Sequence, residues 1–155
     1  SEKHMRMAID MAKIASENDE VPVGAIVVKN NEVLGTGFNK VISKDSVTAH
    51  AEILAINNAS QTLGNYRLTN CELYVTLEPC HMCAKAIVDA RIDFLYFGAM
   101  EQKTGAIQSI DHFLESKHLN HKVRFSGGHM EQESSLLLRT FFQSKRNKNK
   151  FNLLF

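Results

Sequence analysis

The stretch LEPCHMCAK, residues 77–85, carries two cysteines three positions apart, Cys80 and Cys83, directly after Pro79. Proline suits the first turn of a helix, and side chains at i and i+3 share one helix face, so both thiols should point to the same place. Thiols at this spacing either hold a metal ion or form a redox disulfide of the thioredoxin type. Two ligands are too few to close a zinc site, so a metal would need further residues from elsewhere in the chain.

A second motif, TAHAE at residues 48–52, supplies an imidazole and a carboxylate. In the middle of a helix, His50 and Glu52 would lie roughly 200° apart around the axis and could not face one site. They can do so only if His50 lies at the helix start, where Thr48 could cap the helix. The motif therefore predicts a helix that begins at the histidine.

Together the two motifs predict a metal site where two helices begin. Helix N-termini favour thiolates, because free N–H groups and the helix dipole carry partial positive charge there. Three protein ligands, His50, Cys80 and Cys83, with one open position are typical of catalytic zinc, whereas structural zinc sites close with four. A water in the open position would become available as hydroxide near neutral pH. Glu52, which is not needed as a ligand, is then free to carry protons.

Other interpretations of the cysteines compete with a catalytic metal. The CxxC spacing taken alone fits a redox disulfide as well as a metal, and the upstream His-x-Glu and the Glu-Pro before the first cysteine favour the metal. A closed structural zinc would need a fourth ligand, for which His81 and Cys71 are nearest. We expect His81 to point elsewhere on the helix, and Cys71, at the start of a strand, to be a small buried side chain.

Length and composition limit the classes of protein to which this chain can belong. The chain has 155 residues, of which 44% are hydrophobic and 23% charged, and this predicts one globular domain over residues 1–155. No run of about eighteen apolar residues is present, so we expect no membrane span. The first residues lack an apolar signal-peptide core, and three cysteines without secretory features argue against a disulfide framework. We therefore expect a reducing, cytoplasmic setting.

Basic residues gather near the end of the sequence. The net charge is only +1, and no acidic residue follows Glu133, whereas five basic ones do: Arg139, Lys145, Arg146, Lys148 and Lys150. The rest of the chain is net acidic. A basic end on an acidic body predicts contact with a polyanion, although a solvated helix end would explain the same charges.

The elements around the motifs predict an α/β protein. Strands alternating with helices indicate a three-layer sandwich, in which helices cover a mixed sheet of about five strands. We expect Phe141 and Phe142, in the last helix, to face inward or partly inward. The expected elements are a helix over 4–18, a hairpin turning at Asn30-Asn31, a helix over 49–59, a strand over 71–77, a helix over 80–90, a strand over 92–99, a short helix near 107–116, a strand over 122–127 and a basic helix over about 131–148.

HAE followed by PCHMC resembles the zinc-dependent cytidine/nucleotide deaminase superfamily. Within it, the chain is similar to the bacterial-type tRNA-specific adenosine deaminases, which convert the wobble adenosine of an anticodon loop to inosine. The similarity runs through EVPVGAIVV, GFN, TAHAEILAI, NYRL, LYVTLEPCHMCAKAI, FGA, KTGA and SLLLRTFF. The resemblance implies a cytidine deaminase-like fold, hydrolytic deamination by hydroxide on zinc attacking C6, one Zn²⁺ per chain, a tRNA anticodon stem-loop as partner, and a homodimer.

Carried over position by position, the resemblance makes His50, Cys80 and Cys83 the zinc ligands. It makes Glu52 the catalytic proton shuttle, and it places Asn39 on the flipped purine. An amide can donate and accept together, which suits the mixed edge of a purine. Backbone N–H groups near Cys80 would support the anionic intermediate.

The resemblance also implies further substrate contacts, in the pocket wall, the loop that approaches the target ribose and the last helix. The family commonly has aspartate where this chain has Glu101, and one extra methylene shifts the reach of the carboxylate. In the last helix, lysine keeps the attraction for phosphate but loses the bidentate geometry of arginine. The residues are Val23, Glu101, Lys103, Phe142, Lys145 and Arg146.

Two other functions fit part of the sequence. A deaminase of free nucleosides or bases, such as guanine or cytosine compounds, would share the metal chemistry, but its activity should depend weakly on salt, whereas RNA binding falls steeply as salt rises. A non-catalytic zinc-bearing RNA-binding module would explain the cysteines but gives Glu52 no purpose beside an open metal position. The basic last helix favours RNA as the substrate.

Overall fold

The computed structural model of the chain describes the backbone of residues 1–153 and the side chains up to residue 149, so the side chain of Lys150 lies outside the described part. Within that part, no helix combines the length and the hydropathy that crossing a lipid bilayer requires. The helices are α1 (Glu2–Glu17), α2 (Ala51–Leu63), α3 (His81–Asp89) and α4 (Glu131–Leu153). The strands are β1 (Gly24–Lys29), β2 (Glu32–Phe38), β3 (Glu72–Leu77), β4 (Phe94–Ala99) and β5 (Arg124–Ser126).

The five strands form one mixed sheet in the order β2-β1-β3-β4-β5. Strand β1 pairs antiparallel with β2 and with β3, whereas β3 with β4 and β4 with β5 are parallel pairs. Helix α1 packs on one face of the sheet, and α2 and α3 pack on the other. Helix α4 contacts α1, β3 and β4. The predicted layered α/β fold with about five strands is confirmed.

Alternation along the strands separates two apolar cores. In β1, Ala25 and Val27 belong to the core under α2 and α3, whereas Ile26 and Val28 belong to the core under α1. In β3, Tyr74 joins the α1 side. Because helices cover both faces of the sheet, these strands read as continuous apolar runs rather than as alternating ones.

The hairpin between β1 and β2 turns at Asn30-Asn31, as predicted. Both asparagines have positive φ, 50° and 66°, which a two-residue hairpin turn of type I′ requires and which asparagine tolerates. Helix α2 starts two residues later than expected and runs on to Gly64, whose left-handed conformation, with φ of 74°, ends it. The boundaries near the predicted site therefore follow local residue chemistry.

The short helix predicted near 107–116 is wrong. Only one 3₁₀ turn, Phe113–Glu115, forms there. The N–H groups of Ile107, Gln108 and Ser109 donate to the carboxylate of Glu78 instead of to preceding carbonyls. These hydrogen bonds hold the start of the segment on Glu78, and apart from the 3₁₀ turn the rest of it is loop.

Close packing of α2 on β2 depends on small residues. A side chain at Gly35 or Gly37 would collide with the backbone of α2 near Ala55 or Ala51. Both alanines are fully buried against the strand. This backbone-to-backbone approach fixes the height of α2 above the sheet, and with it the position of His50, which directly precedes the helix.

Gly37→Ala should lower the free energy of unfolding by about 1–3 kcal/mol, a typical cost of overpacking. The added methyl group would meet the carbonyl oxygen of Ala51 and the nitrogen of Ala55, and neither can yield without moving α2. Denaturant unfolding under reducing conditions measures the loss. Thr36→Ala is the matched control, because residue 36 points to the opposite face of the same strand. Equal losses in the two variants would contradict this packing.

Candidate active site

The structure places two helix starts opposite each other. His50 is the N-cap residue of α2 and Cys80 is the N-cap residue of α3, both with extended backbone. Nδ1 of His50 lies 3.8 Å from Sγ of Cys80 and 3.5 Å from Sγ of Cys83. The three potential ligand atoms lie within 4.8 Å of one another, and among the described residues no other group of His, Cys, Asp and Glu is arranged to hold a metal ion.

The two alternative ligands lie apart from this group. The ring of His81 points away and its Nε2 lies 2.7 Å from Oδ2 of Asp111. Cys71 is fully buried, and its thiol donates to the carbonyl oxygen of Thr69 at 3.7 Å. Three protein side chains therefore face the point where a metal would bind.

The start of α2 is capped by a residue that follows strand β2, not by a residue that immediately precedes the helix. The side-chain oxygen of Asn39 accepts the N–H of Ala51 at 2.8 Å, which satisfies one of the free donors at a helix start. The expected cap, Thr48, pairs instead with the hydroxyl of Ser46 at 3.1 Å, because His50 rather than Thr48 adjoins the first turn. Asn39 directly follows β2, so a residue at the end of this strand holds the start of α2.

Hydrogen bonds among the two thiols and the imidazole shift the pKa values of the thiols. The hydrogen bond that Cys83 donates to Cys80 lowers the pKa of Cys80 to about 3, with support from His50 and against the effect of burial. The same hydrogen bond and burial raise the pKa of Cys83. Only deprotonated thiols ligate metals, so a cation bound here would displace the remaining proton.

Glu52 lies in the first turn of α2 and is 4% exposed. Burial disfavours its charged form and raises the pKa of the carboxyl to about 7. A carboxyl with a pKa near the working pH can both accept and release a proton, as general acid–base catalysis requires. Because His50 stands before the helix, the two residues can serve one site although they are only two positions apart.

A cavity of about 360 Å³ opens over this group. Its volume lies within the range of about 300–1,000 Å³ that small-molecule sites occupy. The strand ends, both helix starts and the loop after β4 contribute to its wall. Four wall residues were predicted for the site as pocket or catalytic residues, Val23, Asn39, Glu52 and Glu101. Three polar wall residues were not predicted, Glu20, Glu78 and Thr104.

Helix α4 carries three of the predicted RNA-contact residues, and an ion pair links it to the segment after α1. Lys145 lies 2.6 Å from the carboxylate of Asp19 and 5.5 Å from the ring centre of Phe141, so it fastens α4 to the end of α1. Phe142 is 43% exposed rather than inward-facing, because Phe141 takes the buried position. Arg146 is exposed. Asp19 directly precedes Glu20, which belongs to the cavity wall.

The remaining predicted contact lies on the loop after β4. Lys103 is exposed, and its backbone N–H donates to the side chain of Glu101 at 3.0 Å. That hydrogen bond folds the carboxylate of Glu101 back along its own loop. The loop presents one acidic and one basic residue next to the cavity.

Glu78 carries the densest hydrogen bonding near the site, whereas the sequence pattern singled it out only as part of the Glu-Pro before Cys80 and gave it no role of its own. Its side chain accepts the N–H groups of Glu101, Ile107, Gln108 and Ser109 at 2.8–3.1 Å and also the hydroxyl of Ser109. Burial disfavours its charged form, but these donors outweigh burial and lower the pKa of the carboxyl. The one available signal was an acidic residue set between an apolar strand and a cysteine motif.

Glu20 is a second buried carboxylate that the sequence did not reveal. It is 2% exposed and accepts the N–H groups of Ile42 and Ser43 at 3.1 and 2.7 Å. These contacts hold the loop after β2 beside the cavity. A single acidic residue in a polar loop gives no pattern from which this role could be predicted.

Residues 1–146 match the MafB19-like deaminase family. A tRNA-specific adenosine deaminase from Haemophilus influenzae is 46% identical over 150 residues, which cover 96% of this chain and 87% of the relative. The chain belongs to the tRNA-specific adenosine deaminase family. The tRNA-specific adenosine deaminase of Agrobacterium fabrum is 44% identical over 142 residues, 92% of this chain and 93% of that one.

A solved structure extends the similarity of this deaminase to three dimensions. It comes from work on A-to-I editing by tRNA:A34 deaminases at the wobble position of transfer RNA. The match has a TM-score of 0.85 at 43% identity and covers 88% of this chain and 99% of the other. The resemblance first seen in HAE and PCHMC and the cytidine deaminase-like fold that it implied are thereby confirmed.

This deaminase should bind one metal ion through His50, Cys80 and Cys83. Replacing groups that merely orient metal ligands typically costs 10–100-fold in affinity, so Cys83→Ser should weaken binding by at least about 100-fold. Titration with Co²⁺ measures this, because thiolate ligands give intense near-ultraviolet absorption. Cys71→Ser, which changes a buried thiol elsewhere, should leave the titration unchanged. Equal weakening in both variants would contradict the assignment.

Proposed function

We propose that the chain catalyses the hydrolytic deamination of adenosine to inosine at the wobble position of tRNA anticodon loops. One observation carries the proposal: a group of three potential metal ligands adjoins the buried carboxyl of Glu52 in a cavity large enough for a nucleobase. Membership of the tRNA-specific adenosine deaminase family supports adenosine in tRNA as the substrate. The wobble position is the one named for its structural relative.

Zinc is the metal that we assign to the site. Tetrahedral Zn²⁺ binds sulfur at about 2.3 Å and nitrogen at about 2.0–2.1 Å, which places such ligands roughly 3.5–3.6 Å apart. The distances from Nδ1 of His50, 3.5 Å to Cys83 and 3.8 Å to Cys80, fit that geometry. With His50, Cys80 and Cys83 as its ligands, zinc would keep one position for water and would lower the pKa of that water towards about 7, which would supply a nucleophile at neutral pH.

Glu52 moves the protons of the reaction. As oxygen adds to C6 of adenine, the carboxylate accepts one proton from the attacking water and delivers it to N1. It then takes the second proton and passes it to the amino group, which leaves as ammonia while the C6 oxygen becomes the carbonyl of inosine. The pKa of about 7 allows both transfers near neutral pH.

Asn39 and Val23 hold the base in the cavity. The adenosine must leave the loop stack for its C6 to reach the site. Because the oxygen of the Asn39 amide already accepts the N–H of Ala51, its amino group is the part that donates to a purine ring nitrogen. Val23 is buried in the wall and offers an apolar surface to the base.

Residues at the cavity wall and outside it meet the rest of the anticodon arm. The exposed ring of Phe142 offers a surface for base stacking, and Arg146 offers charge to phosphates. Lys145 acts mainly by fastening α4, since Asp19 neutralises it. Glu101 and Lys103 present the loop after β4 to the ribose and backbone. A homodimer and a cytoplasmic setting remain predictions from the sequence.

Glu52→Ala and Glu52→Gln should each reduce inosine formation by at least about 10²-fold, the lower end of what general acid–base catalysis contributes. Metal content should not change, since Glu52 is not a ligand. The assay uses an anticodon stem-loop with adenosine at the wobble position, digested and analysed by mass spectrometry, with free adenosine, cytidine and guanine in parallel. Near-normal turnover in either variant would show that Glu52 does not take part in the chemistry. Turnover of a free base or nucleoside, with the stem-loop unchanged, would contradict RNA as the substrate.

Asn39 is expected to have two separable roles. Asn39→Asp keeps an oxygen for the N–H of Ala51 but loses the amino group, so it should raise KM for the stem-loop without lowering stability. Asn39→Ala loses both groups and should also lower the free energy of unfolding by about 1 kcal/mol, the usual cost of a lost cap. Steady-state kinetics and denaturant unfolding measure the two effects. A KM unchanged in Asn39→Asp would show that the amino group does not contact the base.

A further inference from the structure

Glu78 and the loop over residues 101–109 form a unit whose internal hydrogen bonds have no part in the chemistry described above. Glu78 is 2% exposed and lies in the turn between β3 and α3, two positions before Cys80. Among the described side chains it has no Lys, Arg or His partner; its partners are four backbone N–H groups and one hydroxyl. A carboxylate is costly to bury unless hydrogen bonds replace its hydration, so this arrangement of donors defines its role.

The two carboxylate oxygens divide the loop between them. Oε2 accepts three consecutive N–H groups, from Ile107 at 3.1 Å, Gln108 at 2.8 Å and Ser109 at 3.0 Å. Oε1 accepts the N–H of Glu101 at 3.0 Å and the hydroxyl of Ser109. A carboxylate offers about four lone-pair sites and no proton, so it matches a set composed wholly of donors. A glutamine amide would turn two N–H donors towards those donors.

These contacts clamp the loop at both of its ends. Between the ends lies Thr104, which lines the cavity together with Glu101. Gly105 packs so closely on Glu78 that a Cβ there would collide with the carboxyl group. The N–H of Ala106 donates to the carbonyl oxygen of Pro79 at 2.9 Å. The loop is therefore fastened to the same short turn that delivers Cys80.

We propose that Glu78 is a positioning residue that holds the RNA-facing part of this loop, 101–104, in its binding conformation relative to the metal group before RNA arrives. The role rests on the proposed function, because it concerns the wall of the same cavity. A loop that became ordered only on contact with RNA would lose conformational entropy at that moment and weaken binding. A loop held in advance avoids that loss and keeps Glu101 and Thr104 at a fixed distance from the reacting base.

Glu78→Gln tests directly whether the Glu78 carboxylate holds the loop over residues 101–109. Hydrogen exchange of backbone amides over 101–109 should accelerate by at least about tenfold, the change expected when hydrogen bonds to a charged acceptor are lost. KM for the anticodon stem-loop should rise by at least about tenfold while kcat changes less, because binding rather than proton transfer depends on the loop. Metal content per chain should stay as in the wild type. Exchange is measured on the full chain without RNA.

Gly105→Ala provides a second variant that keeps the carboxylate. Its methyl group would push the loop away from Glu78, so local exchange and KM should change in the same direction. Ile26→Ala is the matched control for general loss of stability, because Ile26 is buried in the core under α1, on the other side of the sheet. In that control, amides over 101–109 should accelerate no more than the rest of the sheet, and KM should remain as in the wild type.

The outcomes separate the two proposals. Faster exchange confined to 101–109 in Glu78→Gln and Gly105→Ala, together with a raised KM, would support the clamp. Exchange that accelerates no more than in Ile26→Ala, or a KM at the wild-type value in both variants, would overturn it. If Glu78→Gln does not fold, Gly105→Ala decides. A wild-type chain that leaves the stem-loop unchanged would overturn the proposed function, while the exchange data would still decide whether Glu78 holds the loop.

Discussion

The site depends on two helix starts that meet on one face of the sheet. Each start carries partial positive charge and unpaired N–H groups, which favour thiolates and carboxylates there. Neither start is capped by its own N-cap side chain. Instead, α2 is held by the oxygen of Asn39 and by close packing on Gly35 and Gly37, and α3 follows the turn that contains Glu78. The first residues of both helices are thus free to supply ligands.

Three buried glutamates show how the surroundings of one residue type separate its roles. Glu20 and Glu78 accept backbone N–H groups and hold loops on the two sides of the cavity. For Glu78 these donors keep the carboxyl ionised, with a lowered pKa. For Glu52 burial dominates and the pKa rises to about 7, which suits a group that must carry protons. The number of N–H donors around each carboxylate therefore separates the two that hold loops, Glu20 and Glu78, from the one that carries protons, Glu52.

Much of the fold and the centre of the site follow from local rules. The alternating strands and helices, the Asn30-Asn31 turn and the position of His50 at a helix start can be read from spacing, because periodicity and turn chemistry act over a few residues. What sequence reasoning missed depends on distant contacts. The start of the segment at 107–116 is held by Glu78 from another part of the chain, and the cap of α2 comes from Asn39 rather than Thr48. Such side-chain to backbone contacts have no period along the chain.

Tracing the source of the C6 oxygen of inosine tests most directly whether the protein hydrolyses adenosine at a metal site. Metal-free and zinc-reconstituted protein would each be incubated with the anticodon stem-loop in water enriched in oxygen-18, and the nucleosides would be analysed by mass spectrometry. We expect inosine at the wobble position with one solvent oxygen at C6, formed by the reconstituted protein alone. Inosine without solvent oxygen, or equal yields with and without zinc, would contradict hydrolysis at a metal site built from two helix starts.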